Sequence, residues 1–422
     1  MPSPVSPLWH PFTQHALRSQ LPKAIFAEGA YITTEDGARY LDAISSWWVI
    51  THRHRHPRIV EAVREQSSRL DQVIFAEFTH EPAEQLAERL ITVAPEGLTR
   101  VFLSDSGSTS VEVALKMALG YWRRQGESRS QVVVMEHSYH GDTVGAMSVG
   151  ARGPFTQAYE AVLFEVDRIP FPGHGQENAT LKTLETICEK KKPAAFLVEP
   201  LVLGAGGMLM YSSEVLRGMR EICARHKVLF IADEVMTGFG RTGSLFACEQ
   251  AQVQPDILCC SKGLTGGFLP LAATLCRDEV YQAFYSNDRA HTFYHSSSFT
   301  GNPMACAAAL ANLKIWETDS VRERVSILAD AQRRQLKRFE GDSRVEQVRQ
   351  TGTITAMNVR TTSRGYLSNI APALHESFLA SRIVLRPLGN VIYVMPPYCV
   401  DEEDLDRIYS AIAASLDAVT AL

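Results

Sequence analysis

The sequence predicts an α/β fold, with a large domain on a mostly parallel sheet and a smaller α+β domain. Short apolar runs recur at 101–103, 131–135, 194–198, 228–233, 257–261 and 271–276. Each is short enough for a strand buried on both faces. Segments with helical spacing lie between most of them, which argues for parallel strands joined by crossovers. After about residue 320 the pattern changes to a long helical stretch, short strands and a last helix. The reading assigns 1–45 to an arm and hairpin belonging to the small domain, 46–318 to the large domain, and 319–422 to the rest of the small one.

Residues 1–22 hold five prolines and read as an extended arm. Trp9 and Phe12 in such an arm are expected to pack on something, with a partner subunit one candidate. Residues 30–44 alternate around Glu35, Asp36 and Gly37, as a hairpin does. The stretch 45–57, SSWWVITHRHRHP, pairs Trp47 with Trp48. Paired indoles suit the wall of an apolar cleft, or equally a corner of the core. His52, His54 and His56 alternate, but arginines interleave and no carboxylate or cysteine completes a set, so no metal is expected.

Residues 59–70 and 82–94 show helical spacing. A strand at 101–103, a turn of small residues at 104–110 and a helix at 111–121 would form a phosphate cup around Gly107 and Ser108. The same pattern also serves as an ordinary helix cap. The strand at 131–135 opens onto Tyr139, which can stack on a flat ring or pack locally. The strand at 194–198 ends in Glu199 and Pro200, and FGRTG at 239–243 forms a tight loop. Residues 291–303 are rich in hydroxyls; Ser296, Ser297 and Ser298 could donate to a phosphate. Helices at 304–313 and 321–339, strands at 353–359, 383–385 and 391–395, and a helix from 401 to about 421 complete the chain. A cleft between the domains is the expected site.

Composition narrows the function. Apolar residues at 45% and charged residues at 21% describe a soluble globular protein. A net charge of -5 argues against a nucleic-acid partner. No apolar run reaches the roughly 18 residues of a membrane span. The first residues lack the basic start and apolar core of a signal peptide. Eight scattered cysteines without a CxxC suggest reduced thiols in the cytoplasm.

The chemistry is read from two strand exits. VLFIADEV, 228–235, is apolar in five of its first six positions and ends at Asp233. DILCCSKG, 256–263, delivers Lys262 in the same way. Ligands of open α/β sheets bind at such carboxyl ends. Taken singly, the Asp is an ordinary cap and the Lys an ordinary solvated cation. Brought together at one rim, they meet the needs of pyridoxal phosphate, a Schiff-base lysine and a carboxylate for the pyridinium nitrogen.

With those two strands go VEP (198–200), ADEVMTGFGRTG (232–243), PDILCCSKGLTGG (255–267) and SFTGNPMACAAA (298–309). In these motifs the chain resembles the class III (omega) aminotransferases, fold-type I enzymes that use pyridoxal phosphate. The likeness covers nearly the whole chain. WHPFTQ (9–14), SSWW (45–48), DSGSTSVEVALKMA (105–118), YHGDTVGAMSV (139–149) and RPLGNVIYVMPPY (386–398) are most similar to the biotin-pathway branch of that family. The resemblance implies S-adenosylmethionine as amino donor and 8-amino-7-oxononanoate as acceptor. It implies that Lys262 holds the cofactor covalently and then moves the proton. Asp233 would face the ring nitrogen and Tyr139 would stack on the ring. Gly107 and Ser108 would hold the phosphate, helped by Ser297 and Ser298 from the second subunit of a homodimer with shared sites. Phe12, Trp47, Trp48, Ser296 and Tyr398 would contact substrate, and Arg386 would grip a carboxylate.

Three departures stand out. Phe12 occupies a position where many members carry tyrosine. Ser297 and Ser298 stand where Pro-Thr is frequent. THRHRHP, 51–57, is more basic than the usual version with glycine. A different omega-amine, or lysine as donor, remains the alternative reading.

Overall fold

A computed structural model describes residues 6–17 and 21–420. Residues 1–5 and 18–20 of the expected arm, and the expected end of the last helix near 421, lie outside the described residues.

The large sheet has seven strands in the order Leu98–Ser104, Ala272–Arg277, Ile257–Cys260, Leu229–Asp233, Ala195–Val198, Val132–Met135 and Asp167–Ile169. All neighbours are parallel except Ala272–Arg277, which runs against both its partners. The apolar runs that suggested this sheet are buried for a physical reason. Phe196, Val198, Phe230 and Ala232 point into one core, with helices Glu177–Lys191 and Ser213–Arg225. Their alternates Ala195, Leu197, Leu229 and Ile231 point into another, against helix Gly107–Arg124. A strand covered on both faces has no solvent side to mark with polar residues.

Register then fixes the rim. Asp233 pairs with Cys259, and Ala232 with Val198 on the other side. The exits of three neighbouring strands, carrying Glu199, Asp233 and Lys262, therefore open onto one edge.

The C-terminal part is an antiparallel sheet of Val345–Thr351, Ile354–Val359 and Val391–Val394, with helices Val321–Leu336, Ala371–Ala380 and Glu402–Thr420. Strand Ile383–Val384 leaves this group to pair in parallel with Arg39–Asp42, so the N-terminal hairpin is tied to the C-terminal residues. Strands Ala24–Glu28 and Val345–Thr351 were not expected. The first is largely exposed although four of its five residues are apolar, the second is polar and mostly half-buried, and both carry a register irregularity, which erases a two-residue repeat. Helix Gly107–Arg124 begins four residues earlier than expected. Ser106 Oγ accepts from the Thr109 amide at 3.3 Å and Thr109 Oγ1 accepts from the Ser106 amide at 2.9 Å, so the turn ends at a capping box. Among the described residues no helix is long and apolar enough to cross a membrane.

Candidate active site

Two cavities of about 390 and 350 Å3 meet at Trp48, Tyr139 and Lys262. The first is walled by strand exits and the start of helix Gly107–Arg124: Asp105, Ser106, Gly107, Ser108, His140, Glu199 and Asp233. The second is walled by Phe12, Trp47, Asp142, Phe155, Tyr366, Arg386 and Tyr393.

Lys262 is the first residue of a short turn separated from its strand by Ser261 alone. Burial pushes its ammonium below the ordinary value of 10.5, against the opposite pull of Asp233 and Glu199. Such a lysine gives up its proton more readily, as a nucleophile or base must. Asp233 is buried, with Oδ1 accepting from the Val235 amide at 3.0 Å and Oδ2 meeting His140 Nδ1 at 2.7 Å. Its carboxylate is held from two sides and its position is fixed. Glu199, equally buried, accepts from the Tyr139 amide (3.0 Å) and the Gly204 amide (2.9 Å). Burial lifts its carboxyl to about 7; His140 opposes this and Asp233 adds to it. Burial also raises the Tyr139 hydroxyl, and Asp142 reinforces the effect.

The residues present fit pyridoxal phosphate. Helix geometry leaves the Gly107 and Ser108 amides without intrahelical acceptors, at the positive end of an 18-residue helix. A Cβ on Gly107 would sit 2.6 Å from Val235 Cγ1, and one on Gly141 only 2.0 Å from Ser108 Oγ. Two close approaches that only glycine allows thus shape a cradle for an anion. A fixed carboxylate, a partly desolvated lysine and the flat ring of Tyr139 line the same cavity. These donors are organic and anionic in complement, and among the described residues no group of three metal-ligating side chains gathers.

The structure brings most of the expected residues together, with clear exceptions. Trp48 is buried, its ring centroid 5.5 Å from Lys262 Nζ, while Trp47 stays 43% exposed in the second cavity. Phe12 meets Trp47 and Phe155 edge-on, with centroids 5.4 and 5.7 Å apart. Arg386 lies 5.8 Å from the Trp47 ring and donates to the Phe12 carbonyl at 2.7 Å. Tyr398 departs from the expectation. It is buried, donates to the Phe239 carbonyl at 2.6 Å and lines neither cavity. Tyr393, five residues earlier, takes the wall position. Ser296, Ser297 and Ser298 line neither cavity of the single chain, although Ser297 donates to Asp105, which does. His52 bonds to Asn312 at 2.7 Å and keeps its ring 5.7 Å from that of His56, while His54 turns away to Asp42 at 2.9 Å, so the three alternating histidines do not gather.

Sequence reasoning gave no role to His140, Glu199, Phe155, Tyr366 or Tyr393. Glu199 follows a buried strand as Asp233 does, and that signal was available. His140 is adjacent to Tyr139, but nothing in the sequence links it to a residue 93 positions away.

The model of one family, aminotransferase class-III, matches residues 19–416. The adenosylmethionine-8-amino-7-oxononanoate aminotransferase of Synechococcus elongatus is 45% identical over 421 residues, 98% of this chain and 99% of its own. The enzyme of that name from Aquifex aeolicus is 36% identical, covering 96% and 94%. The crystal structure of the Methanocaldococcus jannaschii enzyme of that name superposes with a TM-score of 0.93 at 33% identity, over 97% of each chain. A PLP-bound amine transaminase from an uncultivated Pseudomonas species gives 0.92 at 30%, over 98% and 99%. A full-length family match, joined to a lysine, a carboxylate and an anion cradle at one sheet edge, makes this chain a pyridoxal-phosphate-dependent class-III aminotransferase.

Proposed function

We propose that this enzyme transfers the amino group of S-adenosylmethionine to 8-amino-7-oxononanoate, giving 7,8-diaminononanoate for biotin synthesis. The observation that carries the reading is the 45% identity, over both full lengths, to an enzyme named for those two substrates. The second cavity supports it: an aromatic wall ending in Arg386 suits a long apolar chain with a terminal carboxylate.

When bound, pyridoxal phosphate supplies an electron sink and carries the amino group between the two substrates. The Gly107 and Ser108 amides would bind its phosphate. Asp233, fixed by His140 and the Val235 amide, would face the ring nitrogen. Tyr139 would pack against the ring. Lys262 Nζ would hold the cofactor at rest and would serve as the base for the proton on the α-carbon of the donor. Phe12, Trp47 and Trp48 exclude water, and Arg386 orients the acceptor by its carboxylate.

The enzyme works as a cytoplasmic homodimer in this reading. Ser297 and Ser298 of a second copy reach the phosphate end, and Ser296 lies beside them. Tyr294 and Phe299, which flank these serines, are 68% and 63% exposed in the single chain, as residues awaiting a partner would be.

The test is the visible absorbance of the purified holoenzyme. S-adenosylmethionine alone should bleach the cofactor band, and 8-amino-7-oxononanoate should restore it. A band that ignores S-adenosylmethionine but bleaches with lysine overturns the donor. A protein that takes up no pyridoxal phosphate overturns the whole reading.

A further inference from the structure

The tryptophan pair stands on a strained corner. Ser45, Ser46 and Trp48 have φ of 56°, 58° and 67°. Ser46 combines its φ with a ψ of -94°, and Trp47 has φ -123° and ψ 59°. Three side-chain-bearing residues at positive φ within four positions persist only where the surroundings hold them. Strain of this kind gathers at sites of function.

Asp42 is the anchor. Fully buried, it accepts from the Ser46 amide at 2.6 Å through Oδ2 and from the Ile44 amide at 3.2 Å through Oδ1. His54 Nε2 lies 2.9 Å from the same Oδ2 and donates to it. Further on, Ser45 Oγ donates to the Met395 carbonyl at 2.8 Å and Arg241 Nη2 to the Trp48 carbonyl at 3.3 Å. The corner sends its two indoles to different places. Trp48 goes beneath Lys262, with Nε1 donating to the Tyr393 hydroxyl at 2.9 Å, and Trp47 goes beside Arg386.

We infer that Asp42 and His54 form a positioning pair for substrate selection: the carboxylate, held by the imidazole, locks the strained corner that presents Trp47 and Trp48 to substrate. His54 comes from the basic run 51–57, where this chain departs from the usual family pattern. The pair touches neither cavity and carries no proton of the reaction, so it acts on substrate affinity through the indoles. This rests on the proposed reading that both substrates enter the aromatic cavity.

The experiment compares holoenzymes of wild type, His54→Phe, His54→Gln and Ser46→Gly/His54→Phe. Their KM and kcat for each substrate are measured, with near-ultraviolet circular dichroism as an independent report on the indoles. His54→Phe removes the N–H donor to a charged group and should raise KM about tenfold. Its kcat should stay within about threefold, its cofactor band should be unchanged and its tryptophan bands altered. His54→Gln keeps a donor and should behave as wild type. Ser46→Gly relieves the corner at a φ that glycine tolerates, and should return most of the lost affinity even if His54→Phe alone does not fold. The inference is overturned if His54→Phe leaves KM and the tryptophan bands unchanged. It is equally overturned if kcat, cofactor uptake and melting temperature all fall together and neither Gln nor Gly restores affinity. A wild type that uses neither substrate would indict the proposed reaction instead, and the tryptophan bands would still decide on the pair.

Discussion

His140 Nδ1 lies 2.7 Å from Asp233 Oδ2 in a part of the cavity closed to solvent, and the two residues come from different strand exits. The carboxylate assigned to the cofactor ring is therefore held by a second side chain and not by backbone alone. Asp233→Asn should lower kcat by about 100-fold or more while the phosphate cradle still retains cofactor. His140→Phe keeps a flat ring but loses the bond, and should cost about tenfold. Single-turnover bleaching of the cofactor band measures both. Near-normal turnover in Asp233→Asn would refute the role given to that residue.

Gly107→Ala should weaken cofactor binding by about tenfold to a hundredfold. The new methyl would meet Val235 Cγ1 at 2.6 Å, and a β-branched valine has little freedom to yield. Titration of the apoprotein with pyridoxal phosphate reads the loss directly. Unchanged affinity would mean that the start of the helix is not the cradle.

Glu199 makes the apoprotein less stable as pH rises. Folded, its carboxyl releases a proton near pH 7; in the unfolded chain it does so at 4.5. Between those values the folded state holds the extra proton. The contribution of Glu199 is full below 4.5, falls as pH rises and is lost above about 7. The span corresponds to on the order of 3 kcal/mol, at roughly 1.4 kcal/mol for each pH unit. Thermal melts of wild type and Glu199→Gln from pH 5 to 8 should therefore move in favour of the variant. Parallel curves would contradict this.

His52 works in the opposite direction. Burial pushes its imidazole down to about 3 from an ordinary 6.5, against the opposing effect of its hydrogen bond to Asn312. The unfolded chain takes a proton below 6.5 and the folded one does not, so stability is lost as pH falls from 6.5 towards 3. The loss amounts to on the order of 5 kcal/mol by pH 3. His52→Gln, which can keep a bond to Asn312, should flatten the acid limb of urea-denaturation midpoints measured at pH 7, 6, 5 and 4.

Asp233 and Lys262 were legible because a strand covered on both faces leaves no ambiguity about where its exit lies. Tyr393 and Tyr398 were not separable. They lie five residues apart around Pro396 and Pro397, and only the strand register decides which ring meets Trp48. The Ser45–Trp48 corner was invisible as strain, since serine and tryptophan give no hint of positive φ. Val345–Thr351 was missed because a half-exposed strand with a register shift shows neither period. The bond between His140 and Asp233 is a product of topology, and composition carries no trace of it.

The second cavity takes its wall from Phe12 in the arm and from Tyr393 near the far end of the chain, with Lys262 between them. A nascent polypeptide consequently has no partial version of this site to offer. Substrate can be received there only after almost the whole sequence has left the ribosome and its distant ends have closed on each other, a slow kind of encounter for a folding chain.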